Sequence, residues 1–166
     1  MKKIAFASFA LALTLSAYAA DATGKWTGKI SMDLSSVKKM LQQKSASLPA
    51  NKKTQVTQQL AMMDQTEKMM AKQTISMELK KDGTVSISQA MGGKAETDKG
   101  KWTQSGNKVK MFGFSKGQGP KELSGVLSAN GKSLIFDLSG EMNKEAAKKG
   151  APAGSAGKMA LNFTKN

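Results

Sequence analysis

The sequence predicts a mainly β (β+α) protein: an antiparallel up-and-down barrel of about eight strands, with two helices inserted between strands 1 and 2. Three observations predict it. Apolar and polar side chains alternate in several short segments, short turn sequences join most of these segments, and residues 35–72 show helical periodicity instead. An antiparallel meander must hide its apolar face, and closing into a barrel also removes its edge strands.

The N-terminal residues have the pattern of a secretory signal peptide, which we assign to residues 1–20. Lys2 and Lys3 precede an apolar run over residues 4–16, and small residues follow, as signal peptidase requires. The run is short for a membrane span, so an uncleaved anchor helix is the less favoured alternative.

This pattern predicts the compartment and the domain organisation. We expect cleavage after Ala19 or Ala20 and one barrel domain over residues 21–166. No Cys follows the apolar run, which excludes lipid anchoring through a cysteine, and no later segment approaches membrane length. The predicted protein is therefore periplasmic or extracellular, without a transmembrane segment.

The first strand is predicted from strict alternation that begins at Trp26. Trp26, Ile30 and Met32 lie on one face, and Thr27 and Lys29 lie on the other. A period of two with one apolar face indicates a half-buried strand. The other predicted strands are centred on Ile75/Met77/Leu79, Val85/Ile87, Trp102, Val109/Met111, Leu123/Leu127, Leu134/Phe136/Leu138 and Met159/Leu161/Phe163.

Short turns connect these strands, and one strand has an ambiguous register. Asp82-Gly83 between two alternating runs is a strong hairpin signal. In the segment 109–114, Val109 and Met111 lie on one face, whereas Phe112 and Phe114 lie on the other. Either a bulge near Phe112 or aromatic side chains facing outward against a lid would explain this pattern.

The helical insertion, residues 35–72, is predicted as two helices separated by a break at residues 48–50. Apolar residues recur at helical spacing, and Asn51 is the predicted N-cap of the second helix, with Ser47 ahead of the proline as the alternative. We expect this second helix to be about twenty residues long. A short helix is predicted over residues 141–149, and the small residues of 150–157 predict a flexible loop.

Two short motifs resemble those of a known family. Gly24-Lys25-Trp26 resembles the Gly-x-Trp signature that opens lipocalin barrels, and Gly100-Lys101-Trp102 with Ser105-Gly106-Asn107 resembles repeats of small bacterial lipocalin-like (calycin-type) domains. The order of strand, helix pair and meander is similar to that of fatty-acid-binding proteins, in which the helix pair covers the cavity. The resemblance implies a barrel that binds an apolar ligand, with Gly24 and Trp26 at its floor.

The chain departs from this resemblance in its polar residues. Lipocalins usually carry an Arg that packs over the Trp, and fatty-acid-binding proteins use Arg and Tyr to bind a carboxylate. This chain has no Arg, and its one Tyr lies in the predicted signal peptide. A carboxylate-binding site of the family type therefore cannot be carried over to this sequence.

The composition excludes several classes of function. All 26 basic residues are Lys, and the chain has no Arg, His or Cys. Without Cys and His there is no zinc finger, no Cys/His redox centre, no histidine-based triad and no disulfide. Without Arg there is no bidentate recognition of phosphate or guanine by a guanidinium. Removal of residues 1–20 lowers the formal net charge from +14 to +12, because that segment holds two Lys and no acidic residue.

The barrel interior and the Met-rich second helix are the candidate ligand-binding regions. An eight-stranded barrel can be just filled by side chains or can hold one small apolar ligand, and Gly28, Gly100 and Gly125 can either thin the lining or permit bends. Met is frequent where a surface adapts to varied partners. The predicted ligand-binding residues are Trp26, Ile30, Met32, Met62, Met63, Met69, Met70, Met77, Trp102, Met111, Phe136 and Met159.

Met62-Met63 and Met69-Met70 are seven residues apart, which predicts one stripe along the second helix. We expect this stripe to pack on the barrel. One alternative is a lid over a hydrophobic ligand. Another is Cu(I) binding by the thioethers, and we rank this one low because no His or Cys accompanies the methionines. We predict no metal site and no cofactor.

The Lys residues occur as doublets along the chain rather than as one basic run. This distribution is typical of a solvated surface, and it also favours diffuse attraction to an anionic envelope lipid or polymer. Exposed aromatic residues between the lysines, which stacking on nucleic acid requires, are not evident in the sequence. We therefore expect no specific nucleic-acid binding.

The carboxylates are scattered, and no pair is singled out for acid–base chemistry, so we do not expect an enzyme. The prediction is a secreted, non-catalytic binding protein for a hydrophobic or amphipathic, lipid-like small molecule. The alternative is an interaction protein with a filled barrel core, which binds an envelope or host protein, or an anionic polymer, through its Lys-rich surface.

Overall fold

The computed structural model describes residues 20–91, 94–114, 122–150 and 156–166. Residues 1–19 of the predicted signal peptide and residues 151–155 of the predicted flexible loop lie outside the described residues.

Eight strands form one closed antiparallel barrel, which confirms the predicted fold class. Each strand pairs with its neighbour in sequence, and the last strand pairs with the first over eight residue pairs, from Trp26–Lys165 to Asp33–Lys158. The strands are β1 (Gly24–Asp33), β2 (Thr74–Leu79), β3 (Thr84–Met91), β4 (Lys94–Ser105), β5 (Lys108–Phe112), β6 (Glu122–Leu127), β7 (Ser133–Asp137) and β8 (Lys158–Lys165).

Two helices, α1 (Ser35–Ser45) and α2 (Ala50–Lys72), lie between β1 and β2, as predicted, and α3 (Ser139–Lys148) lies between β7 and β8. The predicted N-cap of α2 is wrong. Pro49 occupies that position, and its carbonyl accepts hydrogen bonds from the backbone N–H groups of Lys52 and Lys53, both at 3.0 Å. Proline suits the start of a helix because its fixed φ is already close to the helical value.

The same tripeptide, Asp-Leu-Ser, leads from a strand into α1 and into α3. The carboxylates of Asp33 and Asp137 accept hydrogen bonds from the backbone N–H groups of Ser35 and Ser139, each at 2.9 Å. These N–H groups belong to the first helical turn, where no intrahelical acceptor is available. The intervening Leu34 is buried and Leu138 is half-buried against the core, so each tripeptide satisfies a helix start and fixes the chain to the barrel end.

Two phenylalanine rings fill the interior beside two glycines. Phe163 lies opposite Gly28 on β1, and Phe136 lies opposite Gly125 on β6. A Cβ atom at Gly28 would lie 2.4 Å from the ring of Phe163, and one at Gly125 would lie 2.6 Å from the ring of Phe136. The two rings contact each other edge to face, with centroids 6.0 Å apart. Four neighbouring strands, β6, β7, β8 and β1, are therefore interlocked across one wall of the barrel.

The ambiguous register at the end of β5 is explained by a glycine. Val109 and Met111 are buried, β5 ends at Phe112, and Gly113 has a φ of +70°, which a residue with a side chain rarely adopts. This turn brings Phe114 back onto the core, where its ring lies 3.0 Å from the position of a Cβ at Gly100. Of the two explanations offered by the sequence, the aromatic side chain facing outward is wrong for Phe114.

We predict that Gly28→Ala lowers the free energy of unfolding by about 1–3 kcal/mol, because the buried ring of Phe163 has little room to move. Chemical denaturation measures the change. Gly140→Ala is the matched control, since nothing lies within 4 Å of a Cβ at that exposed position on α3. Equal stabilities for the two variants would contradict the role of Gly28.

Candidate functional site

The lower end of the barrel, which we call the barrel floor, consists of residues 20–23 and the turns at 80–83, 105–107 and 128–132. Trp26 lies directly inside it and is fully buried. Its indole N–H donates a hydrogen bond of 2.9 Å to the carbonyl of Ala22, which is also fully buried. The polar atom of the indole is therefore satisfied while its rings fill the lower core.

Lys165 covers Trp26 at the barrel floor. Its Nζ atom lies 5.5 Å from the centroid of the Trp26 ring and donates a hydrogen bond of 2.8 Å to the carbonyl of Asp21. A cation over an indole face is attracted by the ring quadrupole. Lys165 thus packs over the Trp26 ring and joins it to the backbone of residue 21, a contact that the sequence around Lys165 does not indicate.

The second Gly-Lys-Trp motif also supports the floor. The indole N–H of Trp102 donates to the carbonyl of Lys80 at 2.8 Å, and the backbone N–H of Trp102 donates to the carbonyl of Gly83 at 2.8 Å. Both hydrogen bonds hold the turn between β2 and β3. The two indoles therefore fix two different parts of the same end of the barrel.

Six of the predicted ligand-binding residues lie in the buried core. They contribute to one cluster of buried side chains that also contains Val85, Val109, Leu127 and Leu134. Because Phe136 and Phe163 occupy the space beside the glycines, this part of the interior is filled by side chains. The six residues are Trp26, Ile30, Met77, Trp102, Met111 and Phe136.

The upper end of the interior is less completely covered, and we call it the upper mouth. Met32 and Met159 are directly opposite each other on β1 and β8, and both are half-buried. The amide groups of Gln73 and Gln89 are joined there by a hydrogen bond of 2.7 Å. The half-buried apolar side chains of the upper mouth are Met32, Met70, Ile87, Leu138, Met159 and Leu161.

The Met stripe of α2 is divided between two faces of the helix. Met63 and Met70 are half-buried, and Met70 packs against the barrel core. Met62 and Met69 are 59% and 52% exposed. Adjacent residues are separated by about 100° on a helix, so only one member of each pair can face the barrel. The expectation of a single packed stripe is therefore wrong for Met62 and Met69.

An ion-pair cluster joins α1 and α2 above the barrel. The Nζ atom of Lys38 lies 2.6 Å from the Asp64 carboxylate and 2.5 Å from the Glu67 carboxylate. The other oxygen of Glu67 accepts a hydrogen bond of 2.7 Å from the backbone N–H of Leu34. These contacts lower the pKa of Asp64 and of Glu67 and raise the pKa of Lys38.

Four aspartates are turn residues, and the sequence predicts this role only for Asp82, in the Asp82-Gly83 hairpin. Hydrogen bonds from the residue two positions later lower the pKa of each carboxyl group. The four pairs are Asp21 with Thr23, Asp33 with Ser35, Asp82 with Thr84, and Asp137 with Ser139. The repeated Asp-x-Ser/Thr pattern is the signal by which the sequence could have predicted them.

A polar groove of about 270 Å³ lies on the outer surface of β1, β2 and β3. Ser76, Ser86 and Ser88 line it, with Lys25 and Glu78 beside them. Short serine side chains between longer neighbours explain the depression.

The described residues contain neither a candidate metal site nor a candidate membrane-spanning helix. Within residues 20–91, 94–114, 122–150 and 156–166, no group of three or more His, Cys, Asp or Glu side chains is placed to hold a metal ion. In the same part of the chain, no helix is both long and apolar enough to cross a membrane.

The closed eight-stranded antiparallel barrel, with a Trp at its floor, defines the architecture. It is consistent with a lipocalin-like fold. Comparison of the chain with protein-family models, with curated proteins and with solved structures finds no match.

We predict that acid loosens the α1–α2 cluster. The folded-state pKa values of Asp64 and Glu67 lie below their ordinary values of about 4, so their stabilisation is present at neutral pH and is lost as the pH falls through the lowered values. Hydrogen exchange of α1 amides, corrected for intrinsic rates, should accelerate relative to β1 when the pH is lowered from about 6 to about 3.

Lys38→Met should make α1 exchange quickly at both pH values, whereas Lys39→Met, at the exposed neighbouring position, should behave as the unmodified protein does. An unchanged pH dependence in Lys38→Met would contradict the assignment of this cluster.

Proposed function

We propose that the protein is a secreted, non-catalytic member of the lipocalin-like barrels that binds an apolar or amphipathic, lipid-like molecule at its upper mouth. One observation carries the proposal. Inward-facing apolar side chains are buried in the lower barrel, whereas Met159, Leu161 and Ile87 remain half-buried at the upper end. Apolar surface that the fold leaves partly exposed in a concave site is the surface that a ligand can cover.

The filled lower interior limits how deeply a ligand enters. Phe136 and Phe163 occupy the section beside Gly125 and Gly28, so a long acyl chain does not reach the barrel floor. The ligand that fits this description inserts a short apolar part and leaves the rest near α2. This differs from the deep cavity expected by analogy with fatty-acid-binding proteins.

The chemistry of the upper mouth suits a ligand of variable shape. Met32, Met70 and Met159 supply flexible, polarisable side chains that adapt to different apolar surfaces. The hydrogen-bonded amides of Gln73 and Gln89 supply both a donor and an acceptor for a polar part of the ligand. No guanidinium is available to bind a carboxylate in the bidentate manner, and Glu96 and Asp98 take the inward phase on β4 at this end of the barrel, so affinity depends mainly on burial of the apolar part of the ligand.

A probe-binding experiment on α2 tests this proposal. The unmodified protein should enhance the fluorescence of an amphipathic anilinonaphthalene sulfonate probe, and lipids extracted from the bacterial host used for secretion should displace it. Met70→Gln should weaken probe binding by about three- to tenfold, because loss of apolar burial costs about 1 kcal/mol or more. Met69→Gln is the matched control, since its side chain is exposed on the same helix.

Equal affinities in the Met70→Gln and Met69→Gln proteins, or a failure of every lipid fraction to displace the probe, would reject the upper mouth as the site.

A second candidate function is supported by the charge of the helix pair. From Ser35 to Met63 the sequence contains no acidic residue, and Lys39, Lys44, Lys52 and Lys53 are exposed. Lysine side chains attract anionic polymers and anionic lipid headgroups in a salt-dependent manner. A filled lower core favours this alternative, in which the barrel is a scaffold that holds the helix pair and its lysines at the surface.

Two quadruple variants with equal net charge distinguish binding by the helix lysines from attraction by the total charge of the protein. In one, the four helix lysines are replaced by Gln, and in the other the exposed floor-end lysines Lys80, Lys81, Lys108 and Lys132 are replaced. The second candidate predicts that only the first variant loses retention on an anionic polysaccharide matrix at about 0.15 M salt. Equal losses would indicate attraction by total charge alone.

A further inference from the structure

The residues that follow the predicted cleavage region form part of the barrel floor. Ala20 is half-buried and packs against the core, and its methyl group lies 2.9 Å from the position of a Cβ at Gly131 in the turn between β6 and β7. A glycine at position 131 therefore leaves the space that the methyl group occupies. Ala20 therefore contributes to the barrel floor together with residues 21–23.

One side chain, Gln104, holds this segment through both ends of its amide group. Its Nε2 atom donates a hydrogen bond of 2.6 Å to the carbonyl of Ala20, and its Oε1 atom accepts one of 3.0 Å from the backbone N–H of Ala22. Nε2 also donates to the carbonyl of Gly106 at 2.8 Å. Gln104 thus fixes residues 20–22 across the turn between β4 and β5.

The next residues continue the same connection. The Asp21 carbonyl accepts a hydrogen bond from Lys165, and the Ala22 carbonyl accepts one from the Trp26 indole. The three consecutive carbonyls from Ala20 to Ala22 are therefore all bonded to side chains of the barrel. Cleavage after Ala20 would remove the first of these carbonyls and the methyl group beside Gly131.

We propose that a membrane-bound signal peptidase cleaves the amide bond between Ala19 and Ala20, and that Ala20 is the first residue of the barrel floor. This inference rests on the proposed export of the protein but not on its ligand. Hydrolysis adds a hydroxyl group from water to the carbonyl carbon of Ala19 and a proton to the nitrogen of Ala20. The small residues Ala17 and Ala19 then stand at the two positions that the peptidase selects.

The first test is the mass of the exported protein. The full chain is expressed in a secreting bacterial host, and the protein recovered outside the cytoplasm is measured intact by mass spectrometry. The expected mass is that of residues 20–166. The mass of residues 21–166, or of the uncleaved chain, would overturn the proposal.

The second test compares the thermal stability of chains 20–166 and 21–166, each released from a cleavable fusion. One hydrogen bond and the packing of one methyl group should raise the melting temperature of chain 20–166 by about 2–6 °C. Gln104→Ala should remove about half of this difference, because it removes the hydrogen bond to the Ala20 carbonyl and leaves the methyl contact with Gly131 in place. Gln58→Ala, on the exposed surface of α2, is the matched control and should preserve the difference.

Equal melting temperatures for chains 20–166 and 21–166, or a full difference that persists in Gln104→Ala, would overturn the structural role of Ala20. Neither result depends on ligand binding, so a failure here is distinguishable from a failure of the proposed function.

Discussion

The edge-to-face contact between Phe136 and Phe163 constrains the rest of the barrel, because each ring also lies against a glycine of a neighbouring strand. A side chain at Gly28 or Gly125 would displace a ring, and a smaller residue in place of either ring would open a cavity beside a glycine. The closing pair of strands, β1 and β8, is part of this arrangement through Gly28 and Phe163. Barrel closure and core packing therefore depend on the same contact.

This packing divides the interior into two regions with different properties. Below the rings, Trp26, Trp102 and their carbonyl partners form a floor in which both indole nitrogens are satisfied. Above them, methionine and aliphatic side chains are left half-covered, and α2 contacts the barrel mainly through β1. The buried floor therefore contributes to stability, and the proposed ligand binding takes place at the opposite end of the molecule.

Most of the fold could be predicted from the sequence, because the patterns that predict it involve residues close together in the chain. Alternation with a period of two, short Gly/Asn turns and the helical spacing of residues 35–72 each concern neighbouring residues, and the observed elements agree with them. The start of β4 is less evident: apolar alternation marks the strand only near Trp102, whereas β4 begins at Lys94 and has Glu96 and Asp98 in the inward phase.

The candidate site was less predictable, because its properties depend on contacts between distant residues. Nothing near Lys165 in the sequence indicates that it covers Trp26, and nothing near Gly28 indicates that Phe163 fills its space. The inner face of α2 is an exception. Val56, Leu60, Met63 and Met70 recur at helical spacing and are all half-buried, whereas Met62 and Met69 lie beside this stripe and are exposed.

The location of both tryptophans at the floor has a spectroscopic consequence. The chain has two Trp residues, and both indoles are shielded from water and hydrogen-bonded to carbonyls at the same end of the barrel. Their emission therefore monitors the loss of tertiary structure at that end. A molecule that enters from the opposite end is separated from both indoles by the interlocked phenylalanines, so its binding changes the tryptophan emission very little.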